Sequence, residues 1–102
     1  MLRSRFAARL RQDVAELAEL AGQLSAAGHR EEALRRIHAL AHGLHGTAAT
    51  FGQQRTGEAA AVLEAAAEAA LAGEEGEPWP QRVKAMQAAT GLLQAIRSEE
   101  PG

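Results

Sequence analysis

Three observations predict an all-α fold, an antiparallel up-down-up-down four-helix bundle. Apolar residues recur at spacings of three and four in four separate stretches, the pattern of one buried face per helix. Glycine or proline stands in the gaps between those stretches. Alanine, leucine, glutamate and arginine dominate while aromatics are only 3%, so helix formers abound and a sheet has little to be built from. Codon usage can also raise alanine and arginine, so the periodicity carries the argument.

The first stripe is Phe6, Leu10, Val14, Leu17, Ala21 and Leu24, and Gly28 is its stop, just after Ser25-Ala26-Ala27. The second is Leu34, Ile37, Ala41, Leu44, Ala48 and Phe51, ended by Gly52. The third runs from about Thr56, which offers an N-cap, to Ala72. Its stripe is Ala59, Leu63, Ala66 and Ala70 with Val62 beside it, and Gly73 ends it. The fourth opens at Pro78-Trp79-Pro80, since proline is tolerated in a first turn. Its stripe is Val83, Met86, Thr90 and Leu93 with Ile96 close by. The connections near 28–30, 52–55 and 73–78 are short, which sets successive helices antiparallel. A chain of 102 residues is one domain's worth, so residues 1–102 are expected to form a single bundle. Residues 1–2 and 98–102 are expected to fray, and Trp79 to pack where the chain enters the fourth helix.

Composition narrows the function. There is no cysteine, which removes disulfides, thiolate zinc sites and cysteine nucleophiles together and fits a reducing cytoplasm. A net charge of −2 leaves no whole-chain footprint for nucleic acid. The longest apolar runs are alanine-rich and far short of the roughly 20 residues of a membrane span. The first ten residues carry arginines at 3, 5 and 9 and lack the continuous apolar core of a signal peptide. No partner in nucleic acid or membrane is expected. No Gly-rich phosphate loop or serine triad is apparent.

One face of the second helix stands out. His38, His42 and His45 fall at i, i+4 and i+7 and share a row one residue round from the core stripe. Beside them stand Gly43 and Gly46, each costing about 1 kcal/mol relative to alanine in a helix interior. Local rules broken inside a good helix are expected at functional sites. Gly46 lies one turn after His42, where a side chain would crowd the imidazole and anything docking on it.

The segment His42-Gly43-Leu44-His45-Gly46-Thr47-Ala48-Ala49-Thr50-Phe51-Gly52 resembles the signature of the histidine phosphotransfer (HPt) domain family. That signature is a histidine, any residue, leucine, usually lysine, glycine, a run of small residues and a second glycine. Leu63-Glu64 resembles the leucine–acid pair often found on the family's next helix. His45 stands where the family usually has lysine. The resemblance implies that His42 is reversibly phosphorylated, exchanging its phosphoryl group with the aspartate of a response-regulator receiver domain in a bacterial, cytoplasmic two-component phosphorelay fed by a histidine kinase. It implies a phosphoryl carrier rather than an enzyme: a monomer with no ATP site and no cofactor of its own, with Mg²⁺ expected on the partner receiver. It also implies that Glu64 orients the imidazole and that Gly46 gives steric access.

The residue chemistry agrees. A neutral imidazole, with an unperturbed pKa of about 6.5, is a competent nucleophile near neutral pH, and a carboxylate accepting its second N–H would set the tautomer. His45 reads either as a phosphate contact, with a partial charge in place of lysine's full one, or as a plain surface residue. His38 reads as a partly buried neighbour and His29 as a loop residue. Two other functions fit the same residues. His38 and His42 have a spacing that zinc can bridge, with His45 a third ligand, though that leaves Gly46 unexplained. A non-catalytic helical interaction bundle is the other. Arg30, Arg35, Arg36 and Arg55 could steer an acidic partner or be ordinary surface charges, and Glu74-Glu75-Gly76-Glu77 reads as a solvated loop.

Overall fold

The computed structural model describes residues 2–25, 28–73 and 75–99. It contains α1 (Leu2–Gln23), α2 (Arg30–Thr50), α3 (Gln54–Ala72) and α4 (Trp79–Glu99), with no strand among the described residues. Among the described residues, close backbone packing runs α1–α2, α2–α3, α3–α4 and α4–α1, not along the diagonals. The bundle is therefore a square, and its extents of 42 × 21 × 19 Å match two helix diameters in each cross direction at about 10 Å apiece. End-to-end contacts fix the antiparallel order. Phe6 near the start of α1 stacks on Phe51 just past the end of α2, ring centroids 4.9 Å apart. Arg55 at the start of α3 pairs with Glu99 at the end of α4 at 2.6 Å, and Arg30 at the start of α2 lies over the Trp79 ring at the start of α4.

The stripes of α1, α2 and α4 form the core as expected, with Val14, Leu17, Leu24, Ile37, Leu44, Met86 and Leu93 fully buried. Phe51 is half-buried against it. Boundaries moved more than faces did. α1 ends at Gln23, well before Gly28. Leu24 and Ser25 form a turn, while Ala26 and Ala27 lie outside the described residues. α2 ends with Phe51 as C-cap, Gly52 following at φ 67°, and α3 with Gly73 as C-cap at φ 67°; glycine adopts that left-handed backbone without penalty. Leu2 and residues 98 and 99 lie within α1 and α4, while Met1 and residues 100–102 lie outside the described residues.

The third helix corrects two expectations. Its inward row is Thr56, Ala59, Ala60, Leu63 and Ala67, while Ala66 and Ala70 are only partly buried and Val62 is 59% exposed. A helix so rich in alanine carries too little hydrophobic contrast for its sequence to mark the buried face. Nor is Thr56 the N-cap. α3 begins two residues before it, capped at Gln53 without a side-chain hydrogen bond. The connection from α2 is only residues 51–53, and Gln53 N–H already donates to Ala48 C=O at 2.8 Å. Thr56 thus sits in the first turn, with its hydroxyl turned inward, buried and without a hydrogen-bond partner among the described residues. The other buried threonine, Thr90, donates to Met86 C=O at 2.8 Å.

An unpaired buried hydroxyl carries a desolvation penalty of about 1–3 kcal/mol. Thr56→Val keeps the shape and removes the hydroxyl, so it should stabilise the bundle by about 1 kcal/mol. Denaturant unfolding checks this: a lower midpoint would show that Thr56 Oγ1 has a partner in solution.

Candidate functional site

Helix α2 runs past α3 in the opposite direction, and this pair packs more extensively than any other among the described helices. Both helices bury small residues, Ala41 and Ala48 on α2 and Ala60 and Ala67 on α3, and small side chains permit close helix packing. A Cβ on Gly57 of α3 would lie 3.6 Å from Ala48 Cβ and 4.0 Å from the His45 carbonyl oxygen. In this register the Glu64 carboxylate reaches α2 between two turns. Its Oε2 is 2.6 Å from His42 Nδ1 and its Oε1 is 3.1 Å from His45 Nδ1. One turn along, His38 Nε2 is 3.9 Å from Glu68 Oε2, and the His38 and His42 rings are nearly parallel, with centroids 6.3 Å apart.

His42, His45 and Glu64, three of the sequence-selected residues, are thus brought together. The His42 side chain is 72% exposed and that of Glu64 only 17%. The imidazole stands in solvent while the group that holds it is half-buried. The hydrogen bond with His42 holds the Glu64 carboxyl below its usual range; burial opposes this, and the His45 hydrogen bond adds to it. An ionised carboxylate only accepts, so His42 Nδ1 donates, and the lone pair of the neutral ring is at Nε2, away from Glu64.

Gly46 is placed differently from the sequence expectation. A Cβ there would meet nothing within 4 Å, and the same holds at Gly43. The chain itself gives a Cβ at Gly46 nothing to crowd. The donor set for zinc is not assembled either: among the described residues no group of three or more His, Cys, Asp or Glu is arranged to hold a metal ion.

The sequence reading missed the partnership of His45 with Glu64, the His38–Glu68 pair and the close approach at Gly57. Glu64 and Glu68 repeat the i, i+4 spacing of His38 and His42, and that match was the available signal. The arginines considered for steering are engaged locally: Arg35 pairs with Glu31 at 2.6 Å, Arg36 with Glu16 at 2.6 Å, Arg55 with Glu99 and Arg30 with the Trp79 ring. His29 is the N-cap of α2 in a left-handed conformation, φ 55°, with Nδ1 3.5 Å from Glu32.

A family model described as Hpt domain matches residues 1–99 of the chain. No curated protein and no solved structure matches it. Among the described residues, no helix is long and apolar enough to cross a membrane.

Because the folded-state pKa of Glu64 is lowered, its contribution to stability is present above the ordinary glutamate value of 4.5 and is lost as pH falls through the lowered value. Glu64→Gln should therefore flatten the acid limb of the stability–pH profile below pH 4.5, measured by denaturant unfolding. An unchanged acid limb would show that the carboxylate is not held by the two rings in solution.

Proposed function

The chain belongs to the Hpt domain family, whose members are phosphocarrier modules of phosphorelays, and on that premise we propose that His42 is its phosphoacceptor, exchanging a phosphoryl group with the aspartate of a response-regulator receiver domain. The observation that carries this reading is the 2.6 Å contact between His42 Nδ1 and a half-buried Glu64. That contact leaves Nε2 of a solvent-exposed ring as the nucleophilic atom.

In the forward step the Nε2 lone pair forms the N–P bond while the P–O bond to the receiver's aspartate breaks and its electron pair leaves with the aspartate carboxylate. The proton on His42 Nδ1 stays where it is. The ring becomes an N-phosphorylated imidazolium, and the Glu64 carboxylate offsets its positive charge across the hydrogen bond. The reverse step returns the phosphoryl group to an aspartate by the same path. Transfer of this kind has a loose transition state, so placement and charge carry most of the catalysis. A rigid mid-helix position with one fixed ring nitrogen suits that demand. In this reading Mg²⁺ comes with the receiver, a histidine kinase stands at another step of the relay, and the carrier works as a cytoplasmic monomer. Residues 1–102 form one domain. His45 stands in place of the family's usual lysine, sharing Glu64 with His42, and Gly46 keeps the approach to His42 clear for the receiver.

Two variants test the reading. His42→Gln should abolish acid-labile labelling by a phosphorylated receiver and leave helicity and thermal melting nearly unchanged. Label that persists, or that moves to His38, would overturn the assignment. Gly46→Leu should stabilise the helix by about 1 kcal/mol through propensity, since no neighbour opposes a Cβ there. It should block transfer from the receiver while phosphoramidate, a small donor that needs no docking, still labels His42. Transfer at the wild-type rate would mean that the glycine does not serve access.

A further inference from the structure

Glu64 is one carboxylate serving two rings, through Oε2 to His42 Nδ1 and Oε1 to His45 Nδ1. While it is ionised it can only accept, so both Nδ1 atoms donate. Each neutral ring then has its single N–H at Nδ1 and a bare lone pair at Nε2. For His42 that lone pair is the nucleophile. For His45 the consequence is opposite: a neutral ring turns a lone pair, not a donor, away from Glu64. A lysine ammonium brings three donors and a permanent charge. His45 can donate to a phosphoryl oxygen only after its Nε2 has taken up a proton.

We propose that phosphorylation of His42 is coupled to uptake of a proton at Nε2 of His45, the two rings being tied through Glu64, so that the phosphorylated state of this carrier is pH-linked. The inference rests on the phosphocarrier reading above. The groups facing His45 are few. α2 contributes His42 and α3 contributes Glu64. Among the described residues, the groove beside His45 is lined by α2, α3 and their connection, with Glu58 its one acid and the uncharged Gln53 and Gln54 nearby. His38 and Glu68 lie a turn further along and bear on the His42 ring. Before transfer, the one carboxylate in contact with His45 is already engaged by His42. Transfer adds phosphoryl oxygens carrying up to about two negative charges beside it, and an adjacent anion favours the cationic imidazole. The His45 side chain is 51% exposed, so the proton comes from water. It binds the Nε2 lone pair, and the new N–H donates to a phosphoryl oxygen. The N–P bond forms and the aspartyl P–O bond breaks as described above, with the proton still on His42 Nδ1 and donated to Glu64.

The test uses the full chain phosphorylated with phosphoramidate, with ¹⁵N NMR of the imidazole nitrogens followed across pH before and after phosphorylation. The pH midpoint of His45 should rise on phosphorylation of His42. The equilibrium constant for transfer from a phosphorylated receiver should also move toward phospho-His42 as pH falls, more steeply than in His45→Lys and His45→Gln by up to about tenfold per pH unit. His45→Lys should hold phosphoryl well at all these pH values and His45→Gln poorly, because one keeps a fixed charge and the other has none. A His45 midpoint unmoved by phosphorylation, or equal slopes in all three proteins, would overturn the inference while leaving the carrier reading intact. Absence of phosphate on His42 of the wild type would overturn both.

Discussion

A glutamate side chain can reach an imidazole on the next helix only if the two helix axes lie close, and the arrangement of His42 depends on that closeness. Helices pack about 8–10 Å apart according to the side chains between them. Here both helices bury small residues, Ala41 and Ala48 on α2 and Ala60 and Ala67 on α3, and Gly57 of α3, about two turns before Glu64, lies against Ala48 of α2. Larger residues at these positions would move Glu64 away from His42 before they altered the fold. The alanine content therefore does more than favour helix: along this one seam it sets the reach of the carboxylate.

A second constraint is electrostatic, and Asp13 shows the opposite outcome. Asp13 and Glu64 are both half-buried, with side chains 14% and 17% exposed. Burial dominates at Asp13 and raises its pKa, because Arg9 at 3.4 Å offsets only part of the desolvation. At Glu64 the hydrogen bond with His42 outweighs burial and the pKa falls. Glu64 has ring nitrogens at 2.6 and 3.1 Å, whereas Asp13 carries a desolvation cost larger than its arginine contacts offset, with Glu16 adding a like charge. A carboxylate kept anionic in this way acts as an acceptor toward both rings, which makes the tautomer of His42 a consequence of packing.

The rest of the polar surface contributes little to holding the bundle together. Pairs such as Arg35–Glu31 and Arg55–Glu99 are solvent-exposed, and such pairs are worth about 0–1 kcal/mol each. The apolar core supplies the scaffold, and that leaves the exposed face of α2 free to keep residues that do nothing for stability. Gly43 and Gly46 are of this kind. Neither has a neighbour within 4 Å of its missing Cβ, so internal packing gives no reason for a glycine at either place.

The sequence by itself determined the fold class, the helix order, the inward faces of α1, α2 and α4, and the shared face of His38, His42 and His45. These follow from periodicity and short connections, which are local properties of a chain. The signature around His42 and the Leu63-Glu64 pair also carried the family resemblance and the choice of His42, His45, Gly46 and Glu64. Only the tertiary structure decided the inward face of α3, where alanine gives no contrast, and the position of Thr56, where a tight connection started the helix early. It alone decided that Glu64 meets both His42 and His45, and that His38 faces Glu68. Those contacts depend on the axial register and separation of two helices, and a stripe pattern fixes which face of a helix turns inward but not how far one helix slides along the next.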